Sequence, residues 1–126
     1  MIGIDLVSIS RIESLVQKYD IIFLKKILNN DEISLVRRDS GYNVHRIAGF
    51  FAAKEALSKA LGCGIGGDLR FCDICIHKDK RGKPQIRLDS AILKRFGIGT
   101  ISLSISHDKD YAIAVVQVDL QFVPCH

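Results

Sequence analysis

The stretch from Asn43 to Leu61 constrains the fold more than any other part of the chain. It is rich in Ala, Leu, Lys and Glu and is closed by Gly62, a composition that predicts one long helix with a glycine stop. At 100° per residue, Phe50, Ala53, Ala56, Leu57 and Ala60 form an apolar face. Almost opposite lie Ala48, Ala52, Glu55 and Lys59, flanked by Phe51. Two of these four residues are alanine, so this second side reads as a surface that something approaches closely, with one carboxylate and one ammonium projecting from it.

The rest of the chain alternates strand and helix patterns around that element. Residues 2–7 read as a short strand with Ile2, Ile4 and Leu6 on one face and Gly3, Asp5 and Val7 on the other. Ser8 or Ser10 opens a helix to about Lys18. Residues 21–28 predict a turn or two of helix, and Asp31 starts another through Arg38, broken at Asp39-Ser40-Gly41. Phe71–His77 and Gln85–Leu88 read as strands, the second started by Pro84, and 89–96 as a short helix. Thr100–His107 and Tyr111–Val118 alternate across Asp108-Lys109-Asp110, the signature of a hairpin. This order predicts one α+β domain over residues 1–126, with no repeat or linker.

Composition narrows the function classes. The chain is 48% hydrophobic and 25% charged, as expected of a globular protein rather than a disordered one. No apolar run reaches the roughly 18 residues of a membrane span. The start, Met1-Ile2-Gly3-Ile4-Asp5, lacks the basic residues and apolar stretch of a signal peptide, so a cytoplasmic location and no membrane partner are expected. The formal net charge of +4 favours an anionic partner: a nucleic acid, a phosphate-rich ligand or an acidic protein. A basic RNA-binding module would account for the charge but not for an aspartate inside the first strand. There is no Trp, and the six Phe and three Tyr are scattered, so no stacking platform for bases is evident and no nucleic-acid partner is expected.

Four cysteines, Cys63, Cys72, Cys75 and Cys125, include one C-x-x-C. In a strand, residues three apart point to opposite faces, and no second Cys/His pair stands at zinc-site spacing. Reduced thiols packed as small apolar groups are expected. Gly62-Cys63-Gly64-Ile65-Gly66-Gly67 fits G-x-G-x-x-G but follows a helix, whereas a dinucleotide fingerprint follows a strand and opens one.

Three features carry chemistry. Glu55 and Lys59 are helix neighbours, either a surface pair worth a few tenths of a kcal/mol or charges beside a ligand. Asp5 lies between Ile4 and Leu6, although aspartate is depleted in strands. It faces water on an edge strand, caps the next helix, or is a buried carboxylate paired with a cation or metal. Two carboxylates from separate elements suit magnesium, which leaves its other positions to water and phosphate. In Ser102-Leu103-Ser104-Ile105-Ser106-His107, His107 ends a strand just before a turn, where it can reach a pocket rim and donate to a phosphate or move a proton. His45, His77 and His126 have no such context.

Ile2-Gly3-Ile4-Asp5-Leu6-Val7, Phe51-Ala52-Ala53-Lys54-Glu55-Ala56-Leu57-Ser58-Lys59-Ala60-Leu61-Gly62 and Ser104-Ile105-Ser106-His107, in this order, resemble the holo-[acyl-carrier-protein] synthases, the small bacterial 4′-phosphopantetheinyl transferases. Phe71–Ile76, Gly82-Lys83-Pro84 and Tyr111–Val115 extend the resemblance over nearly the whole chain. It implies an α+β 4′-phosphopantetheinyl transferase fold with an antiparallel sheet and a long central helix, forming a homotrimer with active sites between subunits. It also implies transfer of phosphopantetheine from coenzyme A to a serine of an acyl carrier protein in fatty acid biosynthesis, with release of adenosine 3′,5′-bisphosphate. Carried over by position, Asp5 and Glu55 hold Mg2+, and Glu55, Lys59 and His107 are catalytic. Lys54, Lys59, Gly64, Gly82, Lys83, Pro84, Ser106 and His107 contact coenzyme A, with His107 coming from a neighbouring subunit. Two groups could take the serine proton: Glu55 acting through a water on the metal, or Lys59. Arg11, with Lys18, Lys25 and Lys26, is expected to meet the acidic carrier.

The chain departs from the family pattern in three places. Phe50 stands where an arginine is usual, so that phosphate contact is either lost or taken over by Arg46. The second glycine common near the first strand is missing, and Cys63 replaces a common threonine.

Overall fold

The computed structural model describes residues 1–121; Cys125 and His126 lie outside them. The first strand, β1 (Ile2–Ser8), is followed by helices α1 (Ile9–Tyr19), α2 (Ile21–Ile27) and α3 (Asn30–Val36). A two-residue ribbon, β2 (Arg37–Arg38) and β3 (Gly41–Tyr42), leads into α4 (Val44–Leu61). A 3-10 turn at Phe71–Asp73, strands β4 (Cys75–Lys78) and β5 (Pro84–Arg87), helix α5 (Ser90–Phe96) and the hairpin β6 (Ile98–His107) and β7 (Tyr111–Leu120) complete the α+β fold.

The helix ends follow from local chemistry. Ser8 caps α1 by accepting the Arg11 N–H, and Asn43 caps α4 by accepting that of Arg46. Gly62 closes α4 at φ +73°, a left-handed conformation that costs glycine nothing. The hairpin turn is held by Asp108, whose Oδ1 accepts the N–H groups of Asp110 and Tyr111, each at 2.8 Å.

The main sheet has the order β1-β7-β6, all antiparallel. The first strand therefore lies beside the last, with Asp5 opposite Ala114. Helix α4 packs across β1 and β7. The buried face of β7 is Ala112, Ala114, Val116 and Val118. On β1 it is Gly3, Asp5 and Val7 that turn inward, while Ile2, Ile4 and Leu6 remain 70%, 53% and 60% exposed. The more apolar face of β1 is thus the outer one.

Two sequence expectations change here. Both sides of α4 are buried: Ala48 and Ala52 are as inaccessible as Ala53, Ala56 and Leu57. What approaches the helix closely is the protein's own sheet. A Cβ on Gly3 would overlap the Ala56 carbonyl oxygen and lie 2.6 Å from the Ala60 nitrogen, so only glycine lets β1 lie this near the helix. The strand expected over Phe71–His77 begins only at Cys75, because Phe71–Asp73 winds into the 3-10 turn. Cys72 is therefore outside the strand and exposed, and Cys63, Cys72 and Cys75 are free thiols.

Candidate active site

Glycine at position 3 brings α4 against the inner face of β1, and this sets the charged side chains of the two elements together. Lys59 Nζ donates to Asp5 Oδ1 at 2.8 Å and to the Ile4 carbonyl at 3.2 Å. The Asp5 side chain is 14% exposed and that of Lys59 53%. The two other readings of Asp5 fall away: β1 is an edge strand, but Asp5 faces inward, and Ser8 is the cap of α1. Lys59 pairs across elements with Asp5, and no Glu55–Lys59 ion pair forms among the described residues.

Glu55, one turn before Lys59, is half-buried and has no side-chain partner among the described residues. Burial, and next the Asp5 charge, push its pKa above the usual carboxylate value, against the pull of Lys59. The Lys59 ammonium is held above its own usual value, chiefly by its hydrogen bond to Asp5. Asp5 and Glu55 line one hollow of about 420 Å³, with Ser8, Arg11, Phe51 and Tyr111 around them. Two hard oxygen donors that repel each other, facing a space wide enough for water and phosphate, fit a magnesium ion. The described residues contain no cluster of three His, Cys, Asp or Glu that could hold a metal ion without further ligands.

His107 lies elsewhere. It lines a second hollow of about 690 Å³ with Arg38, Arg46, Lys78, Lys109 and Pro84. This space is strongly cationic: Lys78 is pushed below the usual lysine value, first by burial and then by the charge of Arg46. His45, which carried no signal in the sequence, stands with its ring centroid 5.4 Å from that of His107. Phe50 walls the same hollow one turn from Arg46, so a cation is available although position 50 itself is apolar.

The other predicted contacts are dispersed. Pro84 reaches the second hollow, and Gly82 makes the turn before it at φ +82° with Lys83 exposed beside it. Gly64 is in the open loop after α4 at φ +67°. Ser106 lies on the exposed outer face of β6, the opposite face from His107, because successive strand residues alternate. Arg11 is at the rim of the carboxylate hollow; Lys18, Lys25 and Lys26 are exposed on α1 and α2.

Lys54 is a correction. Expected to touch coenzyme A, it is fully buried, with Nζ donating to Glu32 Oε1 at 2.7 Å, the Ile27 carbonyl at 2.8 Å and the Phe71 carbonyl at 3.0 Å. Its three protons are spent inside the protein, leaving none for a phosphate.

The family model of the 4′-phosphopantetheinyl transferase superfamily matches residues 1–116. The chain belongs to this superfamily. A holo-[acyl-carrier-protein] synthase of Campylobacter fetus subsp. fetus is 49% identical over 94% of this chain and 99% of its own. A crystal structure of Helicobacter pylori holo-[acyl-carrier-protein] synthase in complex with coenzyme A is 48% identical, with a TM-score of 0.88, over 94% of this chain and 100% of that one. A crystal structure of holo-[acyl-carrier-protein] synthase from Neisseria meningitidis is 38% identical with a TM-score of 0.83, over 94% of this chain and 96% of that one. The superfamily member described here is thus an enzyme of the holo-[acyl-carrier-protein] synthase type. No helix among its described residues is long and apolar enough to cross a membrane.

Proposed function

We propose that this enzyme acts in the cytoplasm, in fatty acid biosynthesis. It transfers 4′-phosphopantetheine from coenzyme A to a serine hydroxyl of an apo acyl carrier protein and releases adenosine 3′,5′-bisphosphate. The observation that carries the reading is the convergence of Asp5 and Glu55, fifty residues apart in sequence, on one hollow beside Lys59. Asp5 and Glu55 would hold Mg2+, which neutralises diphosphate charge when bound.

The chain's own residues supply the rest. Phosphoryl transfer needs positioning and charge neutralisation above all. The serine Oγ–phosphorus bond forms, the bridging phosphorus–oxygen bond breaks, and the departing bisphosphate carries off the electron pair. Lys59 is kept protonated by Asp5, so it serves as a cation for the phosphates. Glu55, lining the same hollow, would take the serine proton by way of a water. Arg11, on the rim, meets the acidic carrier where its serine enters, and Lys18, Lys25 and Lys26 extend the cationic approach.

The cationic hollow would receive the phosphates of the nucleotide end, with Arg46 in place of an arginine at position 50 and His107 as a donor. Within one chain this hollow and the carboxylate hollow share no lining residue. A second copy resolves the separation. The outer face of the sheet exposes Ile2, Ile4, Leu6, Tyr111 and Val115 side by side, an apolar surface of the kind that marks an interface. Association of three copies through this face would seat His107 of one beside Asp5 and Glu55 of the next.

The test is to mix the enzyme with coenzyme A, Mg2+ and apo carrier protein and to weigh the carrier by mass spectrometry. A carrier heavier by one phosphopantetheine is expected; an unmodified carrier overturns the reading. Light scattering should return three times the 14.0 kDa chain mass, and Val115→Asp should lower it.

A further inference from the structure

Lys54 and Glu55 are adjacent on α4 but face different worlds. Glu32 and Lys54 are both inaccessible to solvent and lie 2.7 Å apart. Glu32 Oε1 also accepts the Asn29 N–H at 2.8 Å, and its Oε2 accepts the Ile76 N–H at 2.8 Å. With the Ile27 and Phe71 carbonyls on Lys54 Nζ, this node ties the end of α2, the cap of α3, the middle of α4, the 3-10 turn and β4. A buried ion pair gains little stability, because desolvation cancels most of the attraction. What it supplies is a fixed position for everything bonded to it.

One of those partners leads to the reaction centre. The Phe71 ring stacks on that of Phe51, centroids 5.5 Å apart and planes at 30°. Phe51 in turn walls the hollow that holds Asp5 and Glu55. We propose that Lys54 is a positioning residue which, by pinning the Phe71 carbonyl, holds Phe51 as the wall of the carboxylate hollow. The inference rests on that hollow being the reaction centre, as proposed above. A misplaced wall would leave reactants bound but poorly aligned, and misalignment of about 1 Å costs on the order of a hundredfold in rate.

The test compares the double variant Glu32→Gln/Lys54→Met with Phe71→Ala. The double variant removes both charges and keeps an acceptor oxygen for one of the two backbone N–H groups at Glu32. Both variants should fold and lose tenfold or more in kcat with KM for coenzyme A within about threefold. Their combination should be no worse than the more impaired of the two. In the free protein labelled with fluorophenylalanine, the Phe51 19F resonance, assigned through Phe51→Leu, should shift and broaden in both. A folded double variant with wild-type kcat and an unmoved Phe51 resonance would overturn the proposal, as would effects of the two changes that multiply. Should the double variant not fold, Phe71→Ala decides alone: a folded protein with unchanged kcat overturns it. If the wild-type enzyme itself modifies no carrier, the function reading has failed, whereas the 19F comparison still tests the pinning of Phe51.

Discussion

Helix α4 carries two lysine–carboxylate pairs of nearly equal length, and they do opposite things. Lys54–Glu32, at 2.7 Å, is sealed and saturated: every proton of the ammonium has a partner, and both carboxylate oxygens accept. Lys59–Asp5, at 2.8 Å, is half-open, and Glu55 stands unpartnered beside it among the described residues. Only a cluster with unspent hydrogen-bonding and metal-ligating capacity can act on a ligand. A saturated one can only hold its neighbours in place. Distance and charge alone do not separate these roles; exposure and the number of partners do.

The comparison breaks or sharpens under mutation. The largest effect is expected at the open cluster. Asp5→Ala and Glu55→Ala should each lower the rate of carrier modification about a hundredfold or more, as loss of a group that stabilises transferring charge does, while both proteins remain folded. Wild-type rates at limiting Mg2+ would remove these carboxylates from the reaction.

Stability should respond the other way round. Lys54→Ala leaves Glu32 buried without its cation and should cost about 3–5 kcal/mol in urea unfolding. Lys59→Ala, at a half-exposed pair, should cost about 1 kcal/mol or less. Similar losses at the two sites would show that saturation is not what distinguishes them.

Smaller still is the pH signature of Glu55. Its folded-state pKa lies above the ordinary value, so the native state binds this proton more tightly than the unfolded chain does. Stability is therefore lost as pH rises through the window between the ordinary and the raised value. Glu55→Gln does not titrate, so its Tm should exceed the wild type's above that window, and the gap should close below it. Magnesium should raise the wild-type Tm at neutral pH by binding the native state, and Glu55→Gln should lose most of this gain. A Tm gap independent of pH would refute the raised proton affinity of Glu55. The smallest effect is expected at the rim, where Arg11→Ala should raise KM for the carrier severalfold with little change in kcat, consistent with its partly screened surface charge.

Much of the fold was legible beforehand. The bounds of α4, the final hairpin and the strand at residues 2–7 match their patterns closely, because apolar periodicity and end residues such as Gly62 act locally. The 3-10 turn at Phe71 was not legible, since a short run of mixed apolar residues fits a strand equally well. Nor was the outward turn of Ile2, Ile4 and Leu6. Alternation distinguishes two faces, but which of them is buried depends on what packs there. His45 gave no signal because its neighbour His107 is distant in sequence, and the Asp5–Lys59 contact was equally hidden.

The sequence by itself determined which residue types were available for chemistry: an aspartate in a strand, a glutamate and a lysine one turn apart on a helix, and a family pattern over nearly the whole chain. The tertiary structure alone decided which of the lysines stays open to solvent. Lys54 and Lys59 are both strong, long-stemmed cations on one helix. The close approach of that helix to the sheet, allowed by the missing side chain at Gly3, goes with one of them closed in the core and the other beside Asp5. Long-range packing of this kind leaves no periodic trace in a sequence, because its partners lie on separate elements and meet only when the sheet closes on the helix.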